Sequence, residues 1–280
     1  MYRQKSFSND QPSLYLVATP IGNLEDMTFR AIKILNEVSF IYAEDKRVSG
    51  KLLHHFEIKT QLYSYHEFNK EAASAEIIEK LLAGNDIALI SDAGYPVVSD
   101  PGYLVVKEAL KHNINIISLP GGNALLSALV TSGIAPHPFS FHGFLDHKEL
   151  KKKKELESLL ENKETLIFYE SPHRINKTLN LMYEVFGERT IALSREITKR
   201  YEEIIRGNIK DIKDITDIKG EMVIVVEGKK VSTVISSLSI IEEVEALIAN
   251  GISSKDAIKQ VAKNRRLQKN TVYMEYHSKN

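Results

Sequence analysis

Apolar and polar positions along the chain switch repeatedly between a strand period and a helix period. Residues 14–19 (LYLVAT) form a short apolar run stopped by Pro20 and Gly22, the pattern of a buried strand entering a loop. Residues 27–38 place Phe29, Ile32, Leu35 and Val38 at helical spacing, and 40–43 (FIYA) reads as a second strand. The same reading predicts helices over 73–82 and 103–112, and strands over 87–90 (IALI) and 115–119 (NIISL). Strands alternating with amphipathic helices predict a mainly parallel α/β sheet. A second α/β layer follows from strands at 165–169, 190–194 and 221–227 and a helix at 175–186, while 148–154 (KELKKKK) opens an exposed helix or loop. Past Gly228 the pattern is purely helical: 240–249, then 255–263 behind a cap at 251–254, then 270–277. The last two helices, joined by 264–269, resemble a helix-turn-helix.

A chain of 280 residues suits two compact domains and a small appendage. The expected boundaries give an N-terminal α/β domain at 1–120, a second at 121–230 and a helical module at 237–280. The 37 basic residues balance 37 acidic ones, so attraction to a polyanion has to come from a local patch. The absence of cysteine excludes disulfides, thiolate metal sites and cysteine nucleophiles. The first residues are polar, and no stretch reaches about 18 consecutive apolar residues, so a cytoplasmic protein without membrane contact is expected. His137, His142 and His147 recur at a spacing that matches neither helix nor strand faces, and no metal site is expected.

Three loops that end predicted strands are dense in Gly, Pro and Asp: 19–24 (TPIGNL), 91–96 (SDAGYP) and 119–124 (LPGGNA). Each taken singly reads equally well as turn chemistry. Together they favour a ligand crevice, since open α/β sheets bind ligands beyond the carboxyl ends of their strands. Neither Gly-x-Gly-x-x-Gly nor Gly-x-x-x-x-Gly-Lys-Ser/Thr is present, which argues against a common dinucleotide or nucleoside triphosphate.

These loops belong to a longer series of blocks: 14–31 (LYLVATPIGNLEDMTFRA), 43–47 (AEDKR), 64–69 (SYHEFN), 91–103 (SDAGYPVVSDPGY), 119–129 (LPGGNALLSAL), 141–145 (FHGFL), 168–175 (FYESPHRI), 193–203 (LSREITKRYEE) and 220–228 (GEMVIVVEG). In this order they resemble the tetrapyrrole methylase superfamily, and within it a branch that methylates ribosomal RNA. Lys46, Phe68, Gly122-Asn123 and Asp146 depart from that pattern, where Thr, His, Pro-Ser or Pro-Cys, and Pro are usual. The resemblance implies two α/β domains holding S-adenosylmethionine in the cleft between them, in a homodimer. It further implies 2′-O-methylation of a cytidine in the decoding region of 16S ribosomal RNA within the 30S subunit. Carried over position by position, it assigns Pro20, Gly22, Asp92, Ala93, Gly94, Pro120, Gly121, Tyr169, Glu170, Ser171, Glu221 and Met222 to the cofactor.

Such a transfer displaces a sulfonium methyl in line, with the ribose 2′-oxygen aligned behind it and relieved of its proton. A base typically contributes about 10² to 10⁴-fold. Glu44, Asp45, His66 and Glu196 are the candidates. Two of them also have a structural reading: the 65–69 segment as a polar loop satisfying its own backbone, and Arg195 with Glu196 as a surface ion pair. RNA contacts are expected from Arg47, Asn69, Arg195 and Lys199, and from Arg265, Arg266 and Lys269 around the last helical turn, with Tyr273 placed to stack on a base. The run at 148–154 is more readily a solvated face. Two rival functions stay open: methylation of a tetrapyrrole-like small acceptor, and a non-catalytic RNA-binding factor in ribosome assembly.

Overall fold

The computed structural model describes residues 3–6, 8–9, 11–216, 218–230, 238–265 and 267–278. Its first half is a βα alternation: β1 (Ser13–Val17), α1 (Phe29–Glu37), β2 (Phe40–Ala43), α2 (Lys46–His55), β3 (Leu62–Ser64), α3 (Lys70–Leu82), β4 (Ile87–Ile90), α4 (Tyr103–Lys111) and β5 (Asn115–Leu119). The five strands form one parallel sheet in the order β3-β2-β4-β1-β5. All four residues of β4 are buried, the near-continuous apolar run that a strand covered on both faces requires. Alternate side chains serve two cores. Val17, Ile41 and Ile90 pack with Leu35 of α1 and Leu53 of α2, while Leu14, Tyr42 and Leu89 pack with Ile77 of α3 and Val105 of α4.

The second half contributes α5 (Ala124–Ser132), β6 (Phe139–Phe144), α6 (Glu149–Ser158), β7 (Thr165–Glu170), α7 (Ile175–Phe186), β8 (Thr190–Arg195), β9 (Glu203–Asn208), α8 (Ile209–Ile212) and β10 (Met222–Val226). Its sheet runs β6-β7-β10-β8-β9, with only β6 and β7 parallel. The expectation of mainly parallel strands therefore holds for the first sheet alone. The short 196–202 connection makes β8 and β9 a hairpin, whereas a parallel pair needs a crossover of a dozen residues or more. One face of this sheet (Leu166, Phe168, Leu193, Ile224) packs on α6, α7 and α8. The other (Ile167, Ala192, Val223) packs on Ala128 and Leu129 of α5.

The chain divides into two compact units, Met1–Lys229 and Lys230–Asn280. The second holds α9 (Ile240–Ala249), α10 (Ser254–Arg265) and α11 (Lys269–His277) around a small core of Val244, Ile258, Val261 and Val272. Its first helix opens on a capping box, in which the Ser239 side chain accepts from Glu242 N–H and the Glu242 carboxylate accepts from Ser239 N–H. Among the described residues no helix is long and apolar enough to cross a membrane.

Candidate active site

The carboxyl edge of the parallel sheet carries the loops that the sequence singled out. The β1 and β4 loops are stitched by a two-residue bridge: Thr19 N–H donates to Gly94 O at 2.9 Å and Gly94 N–H to Thr19 O at 3.1 Å. The β5 loop is pressed onto them. A Cβ on Gly121 would lie 2.8 Å from Ala18 Cβ, so only glycine permits that approach, and its N–H donates to Tyr95 Oη at 3.2 Å. Pro20 and Gly94 are buried within this stack, while Gly22, Ala93 and Pro120 are exposed on its rim.

Beside it stand four carboxylates. Asp45 caps α2, its Oδ1 accepting from Arg47 N–H at 2.8 Å, and Arg47 closes a fork on it with Nη2 to Oδ2 at 2.6 Å. These hydrogen bonds hold the Asp45 carboxyl at about 2. Such a carboxylate is a poor proton acceptor near neutral pH. Its neighbours go the other way. Burial, then the charge of Asp92, lifts Glu44; burial, with the Asp45 charge adding, lifts Asp92. Asp92 also accepts from Asp45 N–H at 3.2 Å.

Asp100, which sequence reasoning did not single out, is pushed up to about 6 by burial, with Glu44 and Asp92 adding repulsion. It sits in 91–103, a quoted block, but nothing in SDPGY distinguishes it from a turn-forming Asp-Pro-Gly. Left-handed backbone at Val97 (φ 79°) and Ser99 (φ 66°) leads into it, costly at a β-branched residue and concentrated at functional sites. Asp100 and Glu44 line one pocket of about 470 Å³ with Glu67, Lys70 and Tyr103. His66 faces Glu44 closely enough to stabilise its charge, and His66 Nδ1 is buried without a hydrogen-bond partner among the described residues. Asn69 braces this loop, its Oδ1 accepting from His66 N–H at 2.7 Å and its Nδ2 donating to Ser64 O at 3.0 Å. Its amide is thereby committed within the protein.

The second sheet supplies the facing wall. Tyr169, at the end of β7, is raised by burial, and Asp100 across the cleft adds to the shift. Register puts Met222 opposite both Glu170 and Arg195, so Tyr169-Glu170-Ser171, Glu221-Met222 and Arg195-Glu196 converge on one sheet edge. Their side chains do not all face the cleft. Met222 is packed in the core against α6 and α7. Glu170 lies on that same far side, with Oε2 accepting from Thr178 Oγ1 at 2.5 Å and lying 3.4 Å from Lys152 Nζ, and Oε1 3.1 Å from Arg174 Nε. Ser171 N–H also donates to Oε1, at 2.9 Å. Glu170 thus orders the strand end from behind.

Glu196 and Lys199 are engaged with each other. Glu196 Oε1 accepts from Lys199 Nζ at 3.0 Å and from Glu221 N–H at 3.2 Å, and Lys199 Nζ also reaches Glu221 Oε2 at 3.2 Å. The Lys199 stem crosses Gly22, where a Cβ would meet its Cε at 2.4 Å, and Thr198 Oγ1 donates to Asp26 Oδ2 at 2.5 Å. This loop straps the second sheet's edge onto the first. Arg195 donates to Glu203 Oε2 at 2.5 Å. In the C-terminal unit Arg265 Nε pairs with Glu243 Oε2 at 2.6 Å in a half-buried position, whereas Lys269 is exposed. Arg266 lies outside the described residues.

The sequence model described as Tetrapyrrole (Corrin/Porphyrin) Methylases matches residues 13–213. This chain belongs to the tetrapyrrole methylase family. Among its relatives, proteins named ribosomal RNA small subunit methyltransferase I are similar over almost the entire chain. That of Bacillus subtilis (strain 168) is 50% identical, and that of Halalkalibacterium halodurans 47%, each over 99% of both chains. That of Haemophilus influenzae is 44% identical over 93% of this chain and 94% of its own. Solved tetrapyrrole methylases and their neighbours share the fold. Diphthine synthase aligns at a TM-score of 0.60 and 13% identity over 79% of this chain and 91% of that one. Uroporphyrin-III-C-methyltransferase from Thermus thermophilus aligns at 0.55 and 20% over 77% and 94%. The tetrapyrrole methylase match stops at residue 213, short of α9, α10 and α11.

Proposed function

We propose that this chain is an S-adenosylmethionine-dependent methyltransferase that modifies the ribose 2′-hydroxyl of a cytidine in the decoding region of 16S ribosomal RNA. The observation that carries the reading is the correspondence, over 99% of both chains, with relatives named for small-subunit ribosomal RNA methylation. Residues 1–120 and 121–230 are read as the two halves of the cofactor cleft and 237–280 as an RNA-binding module. The protein is read as a cytoplasmic homodimer acting on the 30S subunit.

The residues present suit the cofactor. Burial lifts Glu44, Asp92 and Asp100, and neighbouring carboxylates add repulsion: Asp92 on Glu44, Asp45 on Asp92, and Glu44 with Asp92 on Asp100, a repulsion that a cationic ligand relieves. Hydroxyl and amine groups also need acceptors, and these carboxylates are acceptors when ionised. Asp92, Gly94, Gly121 and Tyr169 would hold S-adenosylmethionine, whose sulfonium supplies a methyl group already activated for displacement. The chain's own task is then alignment and a proton. Alignment is worth about 7–11 kcal/mol in favourable cases. For the proton, Asp45 is committed to a helix cap and Glu196 to Lys199 and the Glu221 amide, leaving Glu44 and Asp100, with His66 against Glu44. A carboxylate lifted toward neutrality accepts a hydroxyl proton better than one held near 2.

The chemical identity of the mark is testable in cells. Nucleosides from 16S RNA of a strain lacking this gene are expected to lose one 2′-O-methylcytidine by mass spectrometry, and a plasmid copy should restore it. An unchanged nucleoside profile contradicts the reading.

A further inference from the structure

Apart from the acidic cleft, the turn between β8 and β9 bounds a pocket of about 440 Å³ lined by Arg195, Glu196, Tyr201, Lys219 and Gly220. That volume is within the range of about 300 to 1,000 Å³ typical of small-ligand sites. Its walls are fixed. The Arg195 guanidinium is pinned between Glu203 Oε2 at 2.5 Å and Lys219 O at 3.2 Å, and the Glu196 carboxylate is turned onto Lys199 and the Glu221 amide. Tyr201 stands 66% exposed, with the Arg200 guanidinium 5.7 Å from its ring centroid.

The charges around the turn balance in number but not in pairing. Glu196, Glu202, Glu203 and Glu221 each have a donor inside the protein: Lys199 for the first and last, Thr198 N–H for Glu202, and Arg195 for Glu203. The side chains of Arg200 and Lys219 pair with no carboxylate among the described residues. A concave site thus offers the exposed Tyr201 ring, which Arg200 approaches, beside Lys219, neither cation being paired with a carboxylate among the described residues. That combination fits a planar, anionic ligand, and it adjoins the Glu221-Met222 edge of the cleft through Gly220 and Glu196.

We propose that this pocket receives one unstacked nucleotide of the RNA strand, a near neighbour of the methylated residue. Its base lies on Tyr201 and its phosphate meets Lys219 and Arg200. Single-stranded RNA is recognised in this way, by splayed bases on aromatic rings and phosphates on cations. The assignment rests on the RNA reading above and adds to it a second contact point, outside the cofactor cleft, that fixes where along the strand the target falls.

The test uses the full-length protein, 30S subunits lacking the mark, and the variants Tyr201→Ala, Tyr201→Phe and Lys219→Ala. Tyr201→Ala should raise KM for 30S roughly 10- to 100-fold, the range for losing one base stack. Its S-adenosylmethionine affinity by equilibrium dialysis should be unchanged, and Tyr201→Phe should stay close to the parent. Lys219→Ala should weaken binding and flatten its salt dependence by one phosphate contact. Ultraviolet crosslinking to 30S containing 4-thiouridine should label the Tyr201 peptide. A Tyr201→Ala enzyme with the parent's KM and no crosslink overturns the pocket assignment while the RNA reading stands. A parent enzyme that transfers no methyl group to 30S overturns the RNA reading, and the pocket assignment with it.

Discussion

Glu44 and Asp45 are adjacent carboxylates with opposite fates, and the difference is local hydrogen bonding. Asp45 accepts from the first turn of α2 and from Arg47, whereas Glu44 is half-buried beside Asp92. Asp45→Ala should therefore lower stability through the lost cap, and Asp45→Asn much less, as measured by urea unfolding. Asp100 makes a pH prediction of the opposite kind. Its folded-state value, about 6, lies above the ordinary 3.8, so the folded protein holds this proton more tightly than the unfolded chain. The stabilising contribution is complete below about pH 4 and is lost as pH rises through 6. Asp100→Asn should match the parent in thermal unfolding near pH 4 and exceed it at pH 7.5; an equal difference at both would contradict the assigned environment. Neither fate could be read from the sequence, because EDKR and SDPGY show residue types while the shifts come from strand ends that fold together.

At the scale of elements, the β7 end is held from behind by a buried network. Lys152 of α6 and Glu170 of β7 are almost fully buried, and Thr178 of α7 bonds both. Burial pulls the Lys152 ammonium below its ordinary range even with Glu170 beside it. Removing one partner leaves the other charge uncompensated, so Glu170→Ala should destabilise by about 3–5 kcal/mol in chemical denaturation. Lys152→Met should cost less, because Arg174 Nε remains 3.1 Å from Glu170 Oε1 and still compensates that carboxylate. The strap at 196–202 belongs to this scale too. Gly22→Ala places a methyl on the Lys199 stem at a backbone angle that side chains rarely adopt. Weakened cofactor binding, measured by calorimetry, is the expected outcome.

Most parallel strands and their helices were legible because burial on both faces makes them uniformly apolar, as in IALI of β4. Two of the missed elements have a mixed signal. β9 (EIIRGN) is a half-exposed strand closing a hairpin, and α2 (KRVSGKLLHH) buries only Ser49 and Leu53. The lysine run at 148–154 reads as solvent-facing, yet Lys152 is in the interior, since only the fold supplies its carboxylate. The cleft loops were visible as a group, while the inward turn of Glu170 and the engagement of Glu196 depend on partners far along the chain.

At the scale of the whole molecule, the chain combines a methylase unit with a separate helical unit beginning near Lys230. Within the latter, Arg265 is engaged with Glu243, while Lys263, Lys269 and Tyr273 are exposed, the positions from which the proposed RNA-binding role would act. Truncation after Lys229 should weaken methyl transfer to RNA far more than S-adenosylmethionine binding. Equal loss of both in a folded truncation would contradict an RNA-binding role for that unit. The central claim is met most directly by transfer of a labelled methyl group from S-adenosylmethionine to 30S subunits prepared from cells lacking this activity. Label mapping to one ribose 2′-oxygen of a decoding-region cytidine is the predicted result. Label absent from 30S and from free 16S RNA, despite measured cofactor binding, would contradict it and turn attention to a small-molecule acceptor.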